Sequence, residues 1–119
     1  MENTPKQILV IEDDKNIILG YQGLLKKFPF EFIVATTLEE AERLYPIREW
    51  DVIVVDGCLG GDDFNTGPLV KEIRASGYTG HMIAASGNPD LRRFLVEAGC
   101  SMDVEKRFVP ANILNLLQK

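Results

Sequence analysis

Five polar residues of this chain stand where chemistry is possible, each just past an apolar run. Asp56 ends the stretch Asp51-Val52-Ile53-Val54-Val55-Asp56, and Gly57-Cys58 follow at once. Glu12 and Asp13 follow Ile8-Leu9-Val10-Ile11, Ser86 follows Met82-Ile83-Ala84-Ala85, and Lys106 follows the weaker segment 102–105. Short, fully apolar, β-branched runs read as strands buried on both faces, as in a parallel sheet. Open sheets of that kind bind ligands at the carboxyl ends of their strands, where these side chains can converge. Three crowded carboxylates repel one another, and a hard divalent cation relieves the repulsion. Mg²⁺ takes oxygen ligands in octahedral geometry, usually one or two carboxylates with waters and phosphate oxygens. A carboxylate that attacks a phosphoryl group forms an acyl phosphate. The metal would then hold the transferring oxygens and neutralise their charge. Lys106 pairs with a phosphoryl oxygen as a point charge, and the Ser86 hydroxyl donates to another.

The elements that must position these groups are legible in order. Residues 1–6 are a polar lead-in, and the first strand is 8–11. Asp13-Asp14 cap a helix whose apolar positions Ile17, Ile18, Tyr21, Leu24 and Leu25 fall at helical spacing. Residues 32–35 are a second strand. Thr37 and Glu40 have the form of a capping box, with Leu38, Ala41 and Leu44 on one face before Pro46. The strand 51–56 leads into a loop rich in glycine and aspartate. Gly67-Pro68 opens a helix with Leu69, Val70 and Ile73 inward. Strand 81–86 follows. Asn88-Pro89-Asp90 starts a helix carrying Leu91, Phe94, Leu95 and Ala98 inward, and Gly99 stops it. After the weak strand 102–105, Pro110 opens a last helix with Ile113, Leu114 and Leu117 inward. Strand and helix alternate five times, which predicts an α/β fold: a parallel sheet with helices on both faces.

Composition narrows the class. A chain of 119 residues with 45% apolar content is expected to form one domain over 1–119. It buries roughly two-thirds of its unfolded surface, so no metal or disulfide staple is needed. The net charge of −5, without a basic cluster, gives nucleic acid no footing. No apolar run approaches the roughly 20 residues that cross a bilayer, and the N-terminus has no signal-peptide character. Two cysteines without metal spacing fit a reducing, cytoplasmic setting.

The ordered set resembles the receiver domain of two-component response regulators, the CheY-like family. It comprises Ile8-Leu9-Val10-Ile11-Glu12-Asp13-Asp14, Val52-Ile53-Val54-Val55-Asp56, Ile83-Ala84-Ala85-Ser86-Gly87, and Gly99 with Lys106 seven residues on. The resemblance spans about residues 7–118. It implies a flavodoxin-like (βα)5 fold with strand order 2-1-3-4-5. It implies that Asp56 accepts a phosphoryl group from a histidine kinase or phosphotransfer protein. Glu12, Asp13 and Asp56 would hold Mg²⁺ with the backbone carbonyl of Cys58, and Ser86 and Lys106 would contact the phosphoryl group. Output would go to a downstream protein partner or a fused output domain, without turnover catalysis.

Three departures stand out. The loop after Asp56 reads Leu59-Gly60-Gly61-Asp62-Asp63 where the family usually has Met-Pro and then Asp-Gly. Arg107 follows Lys106 in place of the usual proline, and Asp103 occupies the position of the usual aromatic switch residue. These departures favour a different output surface, and leave a phosphorylation-independent pseudo-receiver as the alternative. Val55-Asp56-Gly57-Cys58-Leu59 also faintly resembles the motif of haloacid-dehalogenase-like phosphatases. Cys58 stands where that family needs its second aspartate.

Overall fold

The computed structural model describes residues 5–60 and 65–118. The chain runs β1 (Lys6–Ile11), α1 (Lys15–Leu25), β2 (Phe30–Ala35), α2 (Leu38–Leu44), β3 (Val52–Asp56) and α3 (Gly67–Ala75). It continues as β4 (His81–Ala85), α4 (Pro89–Ala98), β5 (Met102–Val104) and α5 (Val109–Leu117). Short 3-10 turns cover Tyr45–Ile47 and Lys106–Phe108. The strands form one sheet in the order β2-β1-β3-β4-β5, every pair parallel. This is the flavodoxin-like order expected from the sequence.

All five residues of β3 are buried, because the strand lies mid-sheet with helices over both faces. Its side chains alternate between two cores. Ile53 and Val55 join Leu69, Val70, Ile73 and Leu95 under α3 and α4. Val52 and Val54 join Tyr21, Leu25, Val109 and Ile113 under α1 and α5. Truncating one such side chain to alanine costs about 2–5 kcal/mol. Exposed ion pairs such as Arg48–Glu31 are worth about 0–1 kcal/mol. The fold therefore rests on the two apolar layers.

Register sets the carboxyl ends level. Ile11 pairs with Val55, Asp56 with Ala85, and Ala85 with Val104. Glu12, Asp56, Ser86 and Lys106 thus leave the sheet along one edge.

Several sequence expectations shift. β1 begins at Lys6 and β2 at Phe30, each two residues early, because Lys6 and Gln7 pair with Phe30 and Glu31 at the sheet margin. The polar lead-in is therefore shorter than 1–6, and residues 1–4 lie outside those described. Leu24, one of the apolar positions at helical spacing, is 59% exposed, and Phe94, expected inward, is 47% exposed. On α1 the buried line passes through Tyr21 and Leu25, leaving Leu24 on its flank. On α4 Leu95 alone is fully buried, and Phe94 is rotated about 100° from it. The capping box closes on a neighbour. Thr37 Oγ accepts from the Glu40 N–H at 3.0 Å, but the Glu40 carboxylate bonds chiefly the N–H and hydroxyl of Thr36, with the Thr37 N–H the weaker donor. The other helix signals hold: Asp14 and Asn88 are N-caps, and Gly99 closes α4 at φ 143°. A Cβ at Gly99 would meet Arg74 Cγ at 2.8 Å, so glycine is required there twice over.

Candidate functional site

Asp56 is the last residue of β3 and only 5% exposed. Its Oδ1 accepts from the Cys58 N–H at 3.4 Å and lies 3.4 Å from Lys106 Nζ. Glu12, one residue beyond β1, is 1% exposed. Its backbone N–H donates to Ala35 O at 3.0 Å, which extends the β1–β2 ladder past the strand end. Glu12 Oε2 accepts from the N–H groups of Asp13 and Asp14, both at 3.1 Å, and Oε1 lies 3.1 Å from Lys106 Nζ. Asp13 Oδ2 accepts from the Gly60 N–H at 2.7 Å, tying the β3–α3 loop to the end of β1. Gly60 has φ +75°, a conformation that glycine adopts freely.

Carboxylate oxygens of Glu12, Asp13 and Asp56 all lie within 4.8 Å of one another. Burial pushes the carboxyls of Asp56 and Glu12 above their ordinary values. Burial alone would lower the Lys106 pKa, but Asp56 and Glu12 outweigh it and hold the ammonium charged. One ammonium against three carboxylates leaves two negative charges uncompensated. An all-oxygen donor set with surplus negative charge fits a hard cation such as Mg²⁺. The residues present therefore fit the metal that the sequence implied.

Ser86 is 5% exposed and follows the last residue of β4. Its Oγ accepts from the Asn88 N–H at 3.0 Å, and its carbonyl accepts from Arg92 Nη1 at 2.7 Å. A hydroxyl oxygen that accepts one bond still has its proton to donate.

No family model and no curated protein matches this chain. Solved structures do. The signal receiver domain of an HD domain-containing protein from Pseudomonas fluorescens Pf-5 superposes with TM-score 0.83 at 18% identity, covering 99% of this chain and 90% of that one. A response regulator from Burkholderia pseudomallei, with a phosphorylated aspartic acid, calcium ion and citrate, gives 0.79 at 22%, covering 96% and 67%. A CheY-like receiver domain from Methylobacillus flagellatus gives 0.76 at 25%, covering 96% and 97%. The chain has the receiver-domain fold.

Within that receiver fold the acidic residues singled out from sequence, Glu12, Asp13 and Asp56, come together, and Lys106 joins two of them. Ser86 lies at the same sheet edge, one residue past the partner of Asp56. Asp14 is the α1 cap, not part of the acidic cluster. Cys58 lies in the loop, half-buried. Asp62 and Asp63 lie outside the described residues.

Sequence reasoning missed the residues that brace this cluster. Thr66 is fully buried and donates to the carbonyls of Asp56 at 2.7 Å and Gly57 at 3.2 Å. Asn65 clamps Leu59 from both sides, accepting its N–H at 2.8 Å and donating to its carbonyl at 2.7 Å. The Tyr21 hydroxyl donates to Lys106 O at 3.0 Å across 85 residues of sequence. Nothing in local spacing points to these bonds; Tyr21 read as core, and its ring is core.

Proposed function

We propose that this chain is a phosphoacceptor receiver of a two-component pathway. The observation that carries the reading is Lys106 Nζ, placed 3.1 Å from Glu12 and 3.4 Å from Asp56 above a three-carboxylate cluster. A free Asp at a strand end would need neither a buried acidic neighbour nor a lysine brought from two strands away.

An Asp56 Oδ attacks the phosphorus of a phosphohistidine on a histidine kinase or phosphotransfer protein. The P–N bond breaks, its electron pair returns to the imidazole nitrogen, and an acyl phosphate forms on Asp56. Glu12 and Asp13, with Asp56 and the Cys58 backbone carbonyl, would hold Mg²⁺, which supplies charge neutralisation at the transferring oxygens. Lys106, already charged and already at Asp56, pairs with a phosphoryl oxygen. The Ser86 hydroxyl donates its free proton to another. Water later attacks phosphorus and releases inorganic phosphate, so the chain is a switch with a finite lifetime, not a turnover enzyme. The phosphoryl group biases the loops after β3 and β4, and a protein partner or output domain reads the result. Among the described residues no helix is long and apolar enough to cross a membrane. Receipt of a phosphoryl group from a kinase would place the chain in the cytoplasm.

Intact-mass spectrometry after incubation with acetyl phosphate tests this. One phosphoryl adduct is expected with Mg²⁺, and none with chelator or in Asp56→Asn. No adduct on the folded wild type, together with no binding of beryllofluoride, would favour the phosphorylation-independent module.

A further inference from the structure

Arg92 connects the two places where this chain matters most, and no local sequence signal marks it. It lies in the second turn of α4, and its side chain is only 14% exposed. Nη1 donates to the Ser86 carbonyl at 2.7 Å, and Nε lies 3.2 Å from Asp103 Oδ2 on β5. Asp103 is the register partner of Ala84, two residues before Ser86, and precedes Lys106 by three. The guanidinium fork thus spans from the residue after β4 to β5. A planar guanidinium carries its donors at fixed separation, so it holds a carbonyl and a carboxylate in one set geometry, where an ammonium is a rotatable point charge.

Ser86 is held through both of its oxygens by the start of α4. Asn88 N–H donates to Oγ at 3.0 Å, and Arg92 donates to the carbonyl. The cap fixes the side chain, and the guanidinium fixes the backbone from which it projects. Arg92 is fixed in turn by Asp103. The Asp103 side chain is 50% exposed, so its pair with Arg92 is partly screened. The inner bond, to Ser86, is the stronger constraint.

We propose that Arg92 is a positioning residue for Ser86 and the joint that couples the phosphoacceptor site to β5, with Asp103 as its anchor. This rests on the phosphoacceptor reading above. A phosphoryl group on Asp56 draws on the Ser86 hydroxyl, and any movement of the Ser86 backbone pulls Arg92 against Asp103. A charge-and-fork coupling then operates at the position where an aromatic residue would be expected.

Beryllofluoride with Mg²⁺ is titrated into wild type, Ser86→Ala, Arg92→Gln, Asp103→Ala and the Ser86→Ala/Arg92→Gln double variant. Affinity is read by calorimetry, and the amide shifts of Asp103 and Val104 by NMR. Arg92→Gln is expected to weaken binding roughly 3- to 10-fold and to abolish the ligand-induced shifts on β5. The double variant should bind within about twofold of Ser86→Ala, because Arg92 acts through that hydroxyl. A merely structural arginine would lower stability without this non-additivity. Wild-type affinity in Arg92→Gln, or losses that multiply in the double variant, overturns the inference. Should Arg92→Gln fail to fold, Asp103→Ala carries the test from an exposed position: weaker binding supports the coupling, and unchanged affinity with unchanged Ser86 shifts overturns it. Wild type that fails to bind beryllofluoride overturns the phosphoacceptor reading instead.

Discussion

Asp56 and Glu12 carry neighbouring charges where 5% and 1% of each residue reaches solvent. Burial raises both carboxyls, and Lys106 draws each of them part of the way back down. Asp56→Asn removes one charge and leaves Lys106 paired with Glu12, so no buried ammonium is orphaned. The variant should be more stable by about 1 kcal/mol, raising Tm by roughly 2–5 °C. The pH sign follows from the raised pKa. The folded protein binds the carboxyl proton more tightly than the unfolded chain, so the contribution of this group to stability, complete below the unfolded 3.8, grows as pH falls through the raised value. It is lost again as pH rises through it, and Asp56→Asn should show less of this slope. Mg²⁺ at ten times its Kd should add about 1.4 kcal/mol to the wild type and less to the variant. Thermal melts at two pH values, with and without Mg²⁺, check all three; a lower Tm for Asp56→Asn would contradict the account.

The elements hold the site through their ends. α1 begins on the Asp14 cap immediately after Glu12-Asp13, and α4 begins on the Asn88 cap two residues after Ser86. Such caps were readable because Asp, Asn, Ser and Thr before an apolar stripe have one dominant use. The α2 cap was readable in type but not in partner: Glu40 bonds Thr36. Those bonds, from the Thr36 N–H first and its hydroxyl second, lower the Glu40 carboxyl below its ordinary 4.5. A depressed carboxyl contributes stability above its unfolded pKa and loses it as pH falls through the folded one. Glu40→Gln should therefore be less stable than wild type at pH 7, and the difference should close as pH falls below 4.5. Denaturant titrations across that range would read it. A gap that persists at low pH would mean the glutamine loses packing instead of charge.

At the scale of the molecule, one parallel sheet separates two apolar layers and gathers the acidic residues at the carboxyl ends of its strands. Cys100 sits in one layer at 4% exposure, and burial pushes its thiol up to about 12. Cys58 sits in the loop after β3, half-buried. Alkylation of the native protein should therefore modify Cys58 first, and Cys100 only through unfolding. Timed labelling in rising denaturant, followed by peptide mass analysis, checks this. Cys100 labelling that ignores denaturant would show a local opening of the α4–β5 layer.

By itself the sequence determined the alternation, the strand runs and the acidic set. The physical reason is that β-branched apolar runs, caps and glycine stops are local, and their meaning depends on a few neighbours. It also carried the ends of strands to one edge, because parallel strands of similar length leave a sheet on the same side. Only the tertiary structure decided which groups touch. Lys106 reaching Glu12 and Asp56, Tyr21 holding the Lys106 carbonyl, Thr66 bracing Asp56 and Arg92 joining Ser86 to Asp103 all span different elements. Their geometry comes from sheet register and helix packing, to which no stretch of neighbouring residues is sensitive. The same holds for Leu24 and Phe94: helical spacing gives a stripe, but the width of the stripe that is covered depends on the sheet beneath it.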